Sequence, residues 1–470
     1  LESLGYKQEL QRSVTGLGHL ALILSDITPT ASLLVVGTAV VTVAGTGSVW
    51  AYLIGCFIAI NVALCMGELG SMFPVAGGLF SIVTRVLGKP AGFVAMVDYI
   101  GQAIFLPASV AIGIGTYVHA LVPAVPENVI AGVGMIVVTL ICLLPIKSNS
   151  WLTAVFLAIE LLVVTALAVA GFSHIHQPLT ILTHVVGPAT GGGLAPVATG
   201  AIIAAIATAL FSVNGYDSGI NFAEEVLGSA AKVGRAVVIA AGLGIVFELV
   251  PFVAIVFGAP DVRHFVNSAT PVTTVAGDIY GSGFLTVITI GALVAIFNAS
   301  IAITLQFSRI VWASGRDVAW PEPVSSWISK VIPGRGTPWV ATLIVGVLAT
   351  ILCFQSSLVA VVTFTSVLIV VLYGLIAISA ITSRIRQRSL PRPSRMPLWP
   401  VPAILSLVGV VIALSQQKPT DLIGVAVLFA AALVYYFAFV RPRKDRYWNV
   451  AETPGAVGSP SADETGTGTH

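Results

Sequence analysis

The chain is poor in charge. Of its 470 residues only 9% are Asp, Glu, Lys or Arg, where soluble domains carry roughly 25%, so it cannot clothe a water-facing surface. Cysteine is scarce as well. Cys56, Cys65, Cys142 and Cys353 fall in or beside apolar runs at no metal-ligand spacing; they read as small core residues, with no disulfide framework and no metal site implied. The chain also lacks His-Glu-x-x-His, Gly-x-Ser-x-Gly, a phosphate loop and Gly-x-Gly-x-x-Gly. No recognised nucleophile, metal or nucleotide motif therefore supports an enzyme, and no cofactor is expected. The net charge of +2 says little by itself, and no nucleic-acid partner is expected. The first fifteen residues are polar and lead straight into an apolar run, so no cleavable signal peptide is expected.

What the chain has is hydrophobicity: 57% of residues are apolar and the mean hydropathy is +0.99. The apolar runs are continuous and repeated, each able to cross a bilayer core of about 30 Å, which takes roughly 20 helical residues. Lipid admits only helices and closed barrels, and a barrel would read as short alternating segments. The expectation is an all-α integral membrane bundle. Apolar runs between polar punctuation predict twelve spans, at 14–44, 49–68, 91–119, 128–146, 150–172, 195–224, 236–258, 283–312, 338–354, 357–382, 398–415 and 421–440.

Basic residues test that count, because cytoplasmic loops carry an excess of Lys and Arg. With the N-terminus in the cytoplasm, 20 of the 22 basic residues fall on the cytoplasmic side, among them Arg85, Lys89, Lys147, Lys232, Arg235, Arg309, Arg316 and the cluster Arg384, Arg386, Arg388, Arg392, Arg395. Only Arg263 and Lys418 fall outside. A miscounted span would invert every later loop, so both termini are expected in the cytoplasm of a cell whose inner membrane holds the chain. His174, His176 and His184 in the longest outward loop fit no tight metal spacing.

Two spans carry helix-breaking chemistry, the first of each half of the chain, and such paired interruptions mark the binding site of a transporter. The first reads Ser25-Asp26-Ile27-Thr28-Pro29-Thr30-Ala31-Ser32. Pro29 has no N–H and disfavours helix at Thr28, while Thr28 suits an N-cap and Pro29 a first helical position. A helix should end near Ser25 and a half-helix start at Pro29, aiming free N–H groups into mid-membrane, a setting suited to a carboxylate. The sixth span reads Phe211-Ser212-Val213-Asn214-Gly215-Tyr216-Asp217-Ser218-Gly219; unwound there, its carbonyls suit an ammonium group.

At these residues the sequence resembles the amino acid–polyamine–organocation permeases. Phe211 to Asp217, followed by Asn221-Phe-Ala-Glu224-Glu225-Val226, is similar to the family's sixth span. Gly67-Glu68-Leu69 to Pro74 and Gly77-Gly78 is similar to its motif after span two, and Ser308-Arg309, Arg316-Asp317 and Gly336-Thr337-Pro338 to those around the loop after span eight. The resemblance implies a LeuT-like 5+5 inverted repeat with spans 1 and 6 discontinuous. It divides the chain into 13–172 as the first repeat, 173–194 as an extracellular loop, 195–382 as the second repeat and 383–448 as two added spans with basic segments, while composition makes 1–12 a polar cytoplasmic lead and 449–470, rich in Gly, Ser, Thr, Pro and acidic residues, a disordered tail. It also implies alternating access around a substrate held by broken spans one and six, with Phe211 as an aromatic gate.

Two departures stand out. The family's span-one break is usually a Gly-x-Gly type turn, and here Asp26 sits in it, able to repel an anionic group or pair with an amine. Many members carry a lysine in mid-span five as proton-coupling group, and here the aligned residue is Glu160. Ionisable groups in lipid cost at least about 2.5–3.5 kcal/mol, so each needs a reason. Glu160 is read as the proton carrier or a cation partner. Asp98 is expected in structural pairing and Glu248 in satisfying backbone freed by Pro251 or facing a cavity. Asp217, Glu224 and Glu225 are expected in inner-gate ion pairs with Lys232, Arg235 or Arg309.

The candidate substrate-binding residues are Ser25, Asp26, Ile27, Thr28, Thr30, Ala31, Phe211, Ser212, Asn214, Gly215 and Tyr216, with Gln102, Asn298 and Thr304 as further polar lining; the candidate gate is Phe211, Asp217 and Glu224. The function expected is secondary active transport of an amino acid or related small amine, coupled to protons. Exchange of amino acids or polyamines is the alternative, and a membrane sensor without flux the reading from a different class. Oligomeric state stays open.

Overall fold

The computed structural model describes residues 14–450 except Ala76, Pro145 and Arg335, and of residues 146–154 the backbone alone. The lead 1–12, with Lys7 and Arg12, and residues 451–470 of the tail lie outside the described residues. Helix dominates the rest. Among the described residues, seven helical stretches are long and apolar enough to cross a bilayer: Gly16–Met72, Lys89–Leu121, Val155–Ser173, Ala230–Gly258, Ser282–Arg316, Leu358–Arg386 and Pro419–Arg443. Five shorter apolar helices accompany them, Gly78–Leu87, Glu127–Cys142, Thr199–Ser212, Trp339–Gln355 and Val401–Leu414. Large apolar side chains such as Leu162, Val169, Val287 and Val411 stand exposed on the outer faces of these helices. In water such a surface would drive association; against lipid it is the solvent match.

The 57-residue stretch from Gly16 is not one rod. A left-handed residue at Thr28 and a tight turn over Gly45–Gly47 divide it. Behind it, long helices cross where glycine lets backbones approach, a recurrent solution between helices in lipid. The Ala230–Gly258 helix packs on Ser48–Met72 and on Ile146–Ser173; Gly67 faces the Gly234 carbonyl at one crossing and Gly171 abuts Ala254 and Gly258 at the other.

Loops expected to be irregular carry structure of their own. Val186–Ala189 and Gly193–Pro196 form an antiparallel hairpin in the outward loop, an addition to the all-α expectation. Away from lipid the chain can pair strand with strand, and Gly191 and Gly192 turn it with φ of 75° and 73°. Gly78–Leu87, Val262–Asn267, Pro271–Tyr280 and Glu322–Ile328 are helices inside expected loops. Where the last helix ends, Trp448 and Val450 are fully buried, and the N–H groups of Trp448 and Asn449 donate to the carbonyls of Val318 and Asp317.

Several of the arginines are held by buried carboxylates. Glu68, 2% exposed, accepts from Arg384 Nε at 2.7 Å, from Arg392 Nη1 at 3.1 Å and from the Met396 N–H at 2.7 Å. Nearby, Arg309 pairs with Glu225 at 2.7 Å, and Arg316 with Glu224 at 3.4 Å and Asp317 at 3.1 Å. These pairs tie helices far apart in sequence. Breaking one by removing a partner strands the other charge, at a cost of about 3–5 kcal/mol. Glu68→Gln keeps the shape and loses the charge, so a cost near the lower end of that range is expected, read as a fall in the thermal unfolding midpoint of purified protein. An unchanged midpoint would mean that the two arginines find water instead.

Candidate substrate site

The first interruption falls where proline chemistry puts it. Helix Gly16–Ile27 ends at Thr28, which takes φ 49° and ψ 63° while its N–H still closes on the Leu24 carbonyl at 2.9 Å. Pro29 opens the next helix. The Ser32 N–H donates to the Thr28 carbonyl and the Ser32 hydroxyl to the Ile27 carbonyl, both at 2.9 Å. A π-helical turn over Ser32–Val36 follows. The expected helix end near Ser25 comes two residues later, because the Thr28 amide still finds its helical acceptor.

The second interruption sits against the first. Helix Thr199–Ser212 stops at Val213, and helix resumes only as the short turn Ser218–Asn221. Gly215 has φ 110°, and a Cβ placed on it would stand 2.7 Å from Ile27 N and 2.8 Å from both the carbonyl carbon and oxygen of Asp26. Only glycine permits that approach. His19 Nε2, 2.9 Å from the Gly219 carbonyl, makes a second tie between the two elements.

Where the breaks meet there is a cavity of about 10 Å³, the order of one water-sized sphere. Asp26, Ile27, Thr28, Ser32 and Val36 line one side, Phe211, Asn214 and Gly215 another, with Leu106, Val110, Ile303 and Gln306 from the Lys89–Leu121 and Ser282–Arg316 helices. Asp26 is 4% exposed, and neither carboxylate oxygen has a hydrogen-bond partner among the described residues. The Ser218 hydroxyl and the Asp217 carboxylate are its polar neighbours. Asn214 Oδ1 accepts from the Tyr373 hydroxyl at 2.6 Å, and Tyr373 packs on Tyr216, ring centres 6.0 Å apart. No donor among the described residues reaches the carbonyls of Val213 or Asn214.

Glu160, fully buried, reaches the start of the half-helix from the Ile146–Ser173 helix. Its Oε1 accepts the Thr30 N–H at 3.1 Å with the Ala31 amide beside it, the Thr30 hydroxyl donates to the Glu160 carbonyl at 2.7 Å, and Asn298 Nδ2 lies 3.5 Å from Oε2. Glu248 accepts from the Ser212 hydroxyl at 2.6 Å, itself 2.8 Å from the Tyr52 hydroxyl. Asp98 takes the Gln102 amide at 2.9 Å. Asp217 accepts from the Tyr99 hydroxyl and, at 3.1 Å, from Gln306 Nε2, while Asn221 Nδ2 donates to the same Tyr99 oxygen at 2.9 Å.

Six of the expected site residues therefore line the cavity: Asp26, Ile27, Thr28, Phe211, Asn214 and Gly215. Ser25 is buried on its helix outside the lining. Thr30 and Ala31 face Glu160, Ser212 faces Glu248, Tyr216 packs at a tilt against Tyr373, Gln102 is held by Asp98, Asn298 turns to Glu160, and the Thr304 hydroxyl donates to its own helix at the Ser300 carbonyl. Of the expected gate pairs, Glu225 with Arg309 forms; Glu224 takes Arg316 instead, and Asp217 is held by neutral groups. Lys232 and Arg235 lie on the Ala230–Gly258 helix without an ion pair to any of these three among the described residues. Sequence reading missed Gln306, Tyr373, Leu106, Val110 and Ile303. Each lies on an unbroken apolar helix, and nothing local distinguishes its inward face. Gln306, an amide in such a run two turns beyond Asn298, gave the one usable signal.

At the end of the bundle away from the arginine cluster, Thr38, Thr42, Thr116, Glu127 and Ser357 line a wider opening of about 500 Å³. The molecule thus combines apolar helices, paired interruptions in mid-bundle and a charged end tied by ion pairs, the makings of a multi-pass membrane permease. The family model described as "Amino acid permease" matches residues 15–439, and the chain belongs to that family, which sets it among transporters rather than enzymes. It is similar to an uncharacterized transporter of Mycobacterium tuberculosis, 26% identical with 89% of each chain covered. It is also similar to the branched-chain amino acid permease of Bacillus subtilis, 23% identical with 87% of this chain and 90% of the other, and to the methylthioribose transporter of the same organism, 19% identical with 92% and 94% covered.

Proposed function

We propose that the chain is a secondary active transporter of an amino acid or related small amine, working by alternating access in the cell membrane. In this reading it has twelve spans in a LeuT-like 5+5 inverted repeat, with both termini cytoplasmic. The observation that carries it is the contact of Gly215 with the Asp26–Ile27 peptide, which joins two interrupted helices in mid-bundle. A helix break there leaves backbone groups and one carboxylate without partners, and lipid tolerates such groups only around a cavity. Two relatives carry names that differ in solute, one for amino acids and one for a sugar derivative, so kinship supports transport more firmly than it supports a cargo.

The arginine cluster is read as the cytoplasmic end, sealed by its ion pairs, and the 500 Å³ opening as the outer vestibule. Coupling runs through Glu160. As a carboxylate it takes a charge-assisted bond from the half-helix amide; once it binds a proton that bond weakens, and the half-helix carrying Thr28 and Ser32 is freed to shift. The cycle therefore links one proton to one rearrangement of the site.

Purified protein in liposomes should take up a labelled member of a panel of amino acids and amines when an inward proton gradient is imposed, at least about tenfold above protein-free vesicles. Uptake only into vesicles preloaded with substrate would make the protein an exchanger. Binding of a panel member without any flux would make it a sensor and end the transport reading.

A further inference from the structure

The half-helix that begins at Pro29 has four N-terminal donor positions, and each is accounted for. Pro29 has no N–H. The Thr30 N–H is given to Glu160, the Ala31 amide lies beside the same carboxylate, and the Ser32 N–H closes on the Thr28 carbonyl. A helix start is an anion site because such donors stand free. Here the protein fills that site with a carboxylate of its own. No Lys, Arg or His lines the cavity, so no cationic side chain there complements an anion.

The opposite charge is provided for. Asp26 is buried and lines the cavity, its polar neighbours are the Ser218 hydroxyl and the Asp217 carboxylate, and neither of its oxygens closes a hydrogen bond of normal geometry among the described residues; a buried carboxylate in that position calls for a cationic or hydrogen-bonding partner. The carbonyls of Val213 and Asn214, also without donors among the described residues, add acceptors. Ile27, Val36, Leu106, Val110 and Ile303 supply apolar wall for a carbon chain.

Deepening the transport reading above and resting on it, we infer that the cargo is a cationic amine without an α-carboxylate, its ammonium held by Asp26, and that zwitterionic amino acids are discriminated against. A zwitterion would bring its carboxylate toward Asp26 while finding the half-helix amides already taken by Glu160.

The test uses matched pairs that differ by one carboxylate: isoamylamine against leucine, and putrescine against ornithine. Competition for uptake is measured in liposomes holding the full chain. The amine of each pair should compete at least tenfold better, and Asp26→Asn should reduce the competition by amines at least tenfold while changing that of amino acids less than threefold. Because Asp26→Asn removes a buried charge and could disturb folding, the same comparison on unaltered protein stands by itself, with thermal stabilisation by each compound as a second readout. Amino acids competing as well as or better than their amines would overturn the inference and leave transport intact. Failure of all four compounds, and of the wider panel, to move or bind would sink the transport reading instead.

Discussion

Gly215→Ala is expected to lower flux at least about a hundredfold while the protein still inserts and purifies as a single species. The reason lies in two separate costs. At φ 110° an L-residue is held in a sparsely populated region, at about 1–3 kcal/mol. The new methyl would also stand 2.7–2.8 Å from backbone atoms of Asp26 and Ile27, and backbone cannot rotate aside as a side-chain tip can. Relief requires the two interrupted helices to separate, an overpacking penalty of about another 1–3 kcal/mol. Each 1.4 kcal/mol is a factor of ten in a conformational equilibrium, so the state in which the breaks touch would become rare. Uptake per milligram of reconstituted protein measures this. Wild-type rates in the alanine variant would mean that the contact is dispensable, and with it the alternating-access reading built on it.

The second large effect concerns Glu160. The glutamine variant keeps an amide oxygen to accept the Thr30 N–H and is nearly isosteric, so the half-helix stays capped. What it loses is the capacity to bind and release a proton. Accumulation against a gradient, driven by pH, should fall to background, while counterflow of labelled for unlabelled substrate should stay within about threefold of wild type. Survival of both would reduce Glu160 to a cap and pass coupling to Asp26, Asp217 or Glu248. Glu160→Ala separates the roles from the other side: it leaves a buried amide without an acceptor, a loss of about 1–3 kcal/mol, and should depress both modes of transport together.

The contrast between local and distant information is clearest at the half-helix. That it begins at Pro29 was legible, because one imide ring and its steric demand on Thr28 decide the matter within two residues. That Gly215 would serve the partner break was legible for the same kind of reason. What occupies the amides was not. Glu160 lies 130 residues downstream of Thr30, and no periodicity records which of several buried carboxylates will arrive there. The amides at Thr30 and Ala31 were expected to greet a guest and instead greet the chain's own side chain. The charged end repeats the lesson: Arg309 with Glu225 could be read from proximity of motifs, whereas Glu68 is claimed by Arg384 and Arg392, over 300 positions away. Local chemistry marked where the helices break; the long-range packing that fills those breaks leaves no short-range trace.

The anchoring of Trp448 has a mechanical consequence. Its ring is wedged against Phe80 and Phe93, 5.8 and 5.3 Å between centres, and its amide is pinned to the segment following the Ser282–Arg316 helix. The last helix is thereby stitched to a layer it does not follow in sequence, much as a guy-line holds a mast. Any tilt of the Lys89–Leu121 helix, which bears Phe93, must drag that stitch or tear it. The Trp448 anchor thus moves with the helices that hold it.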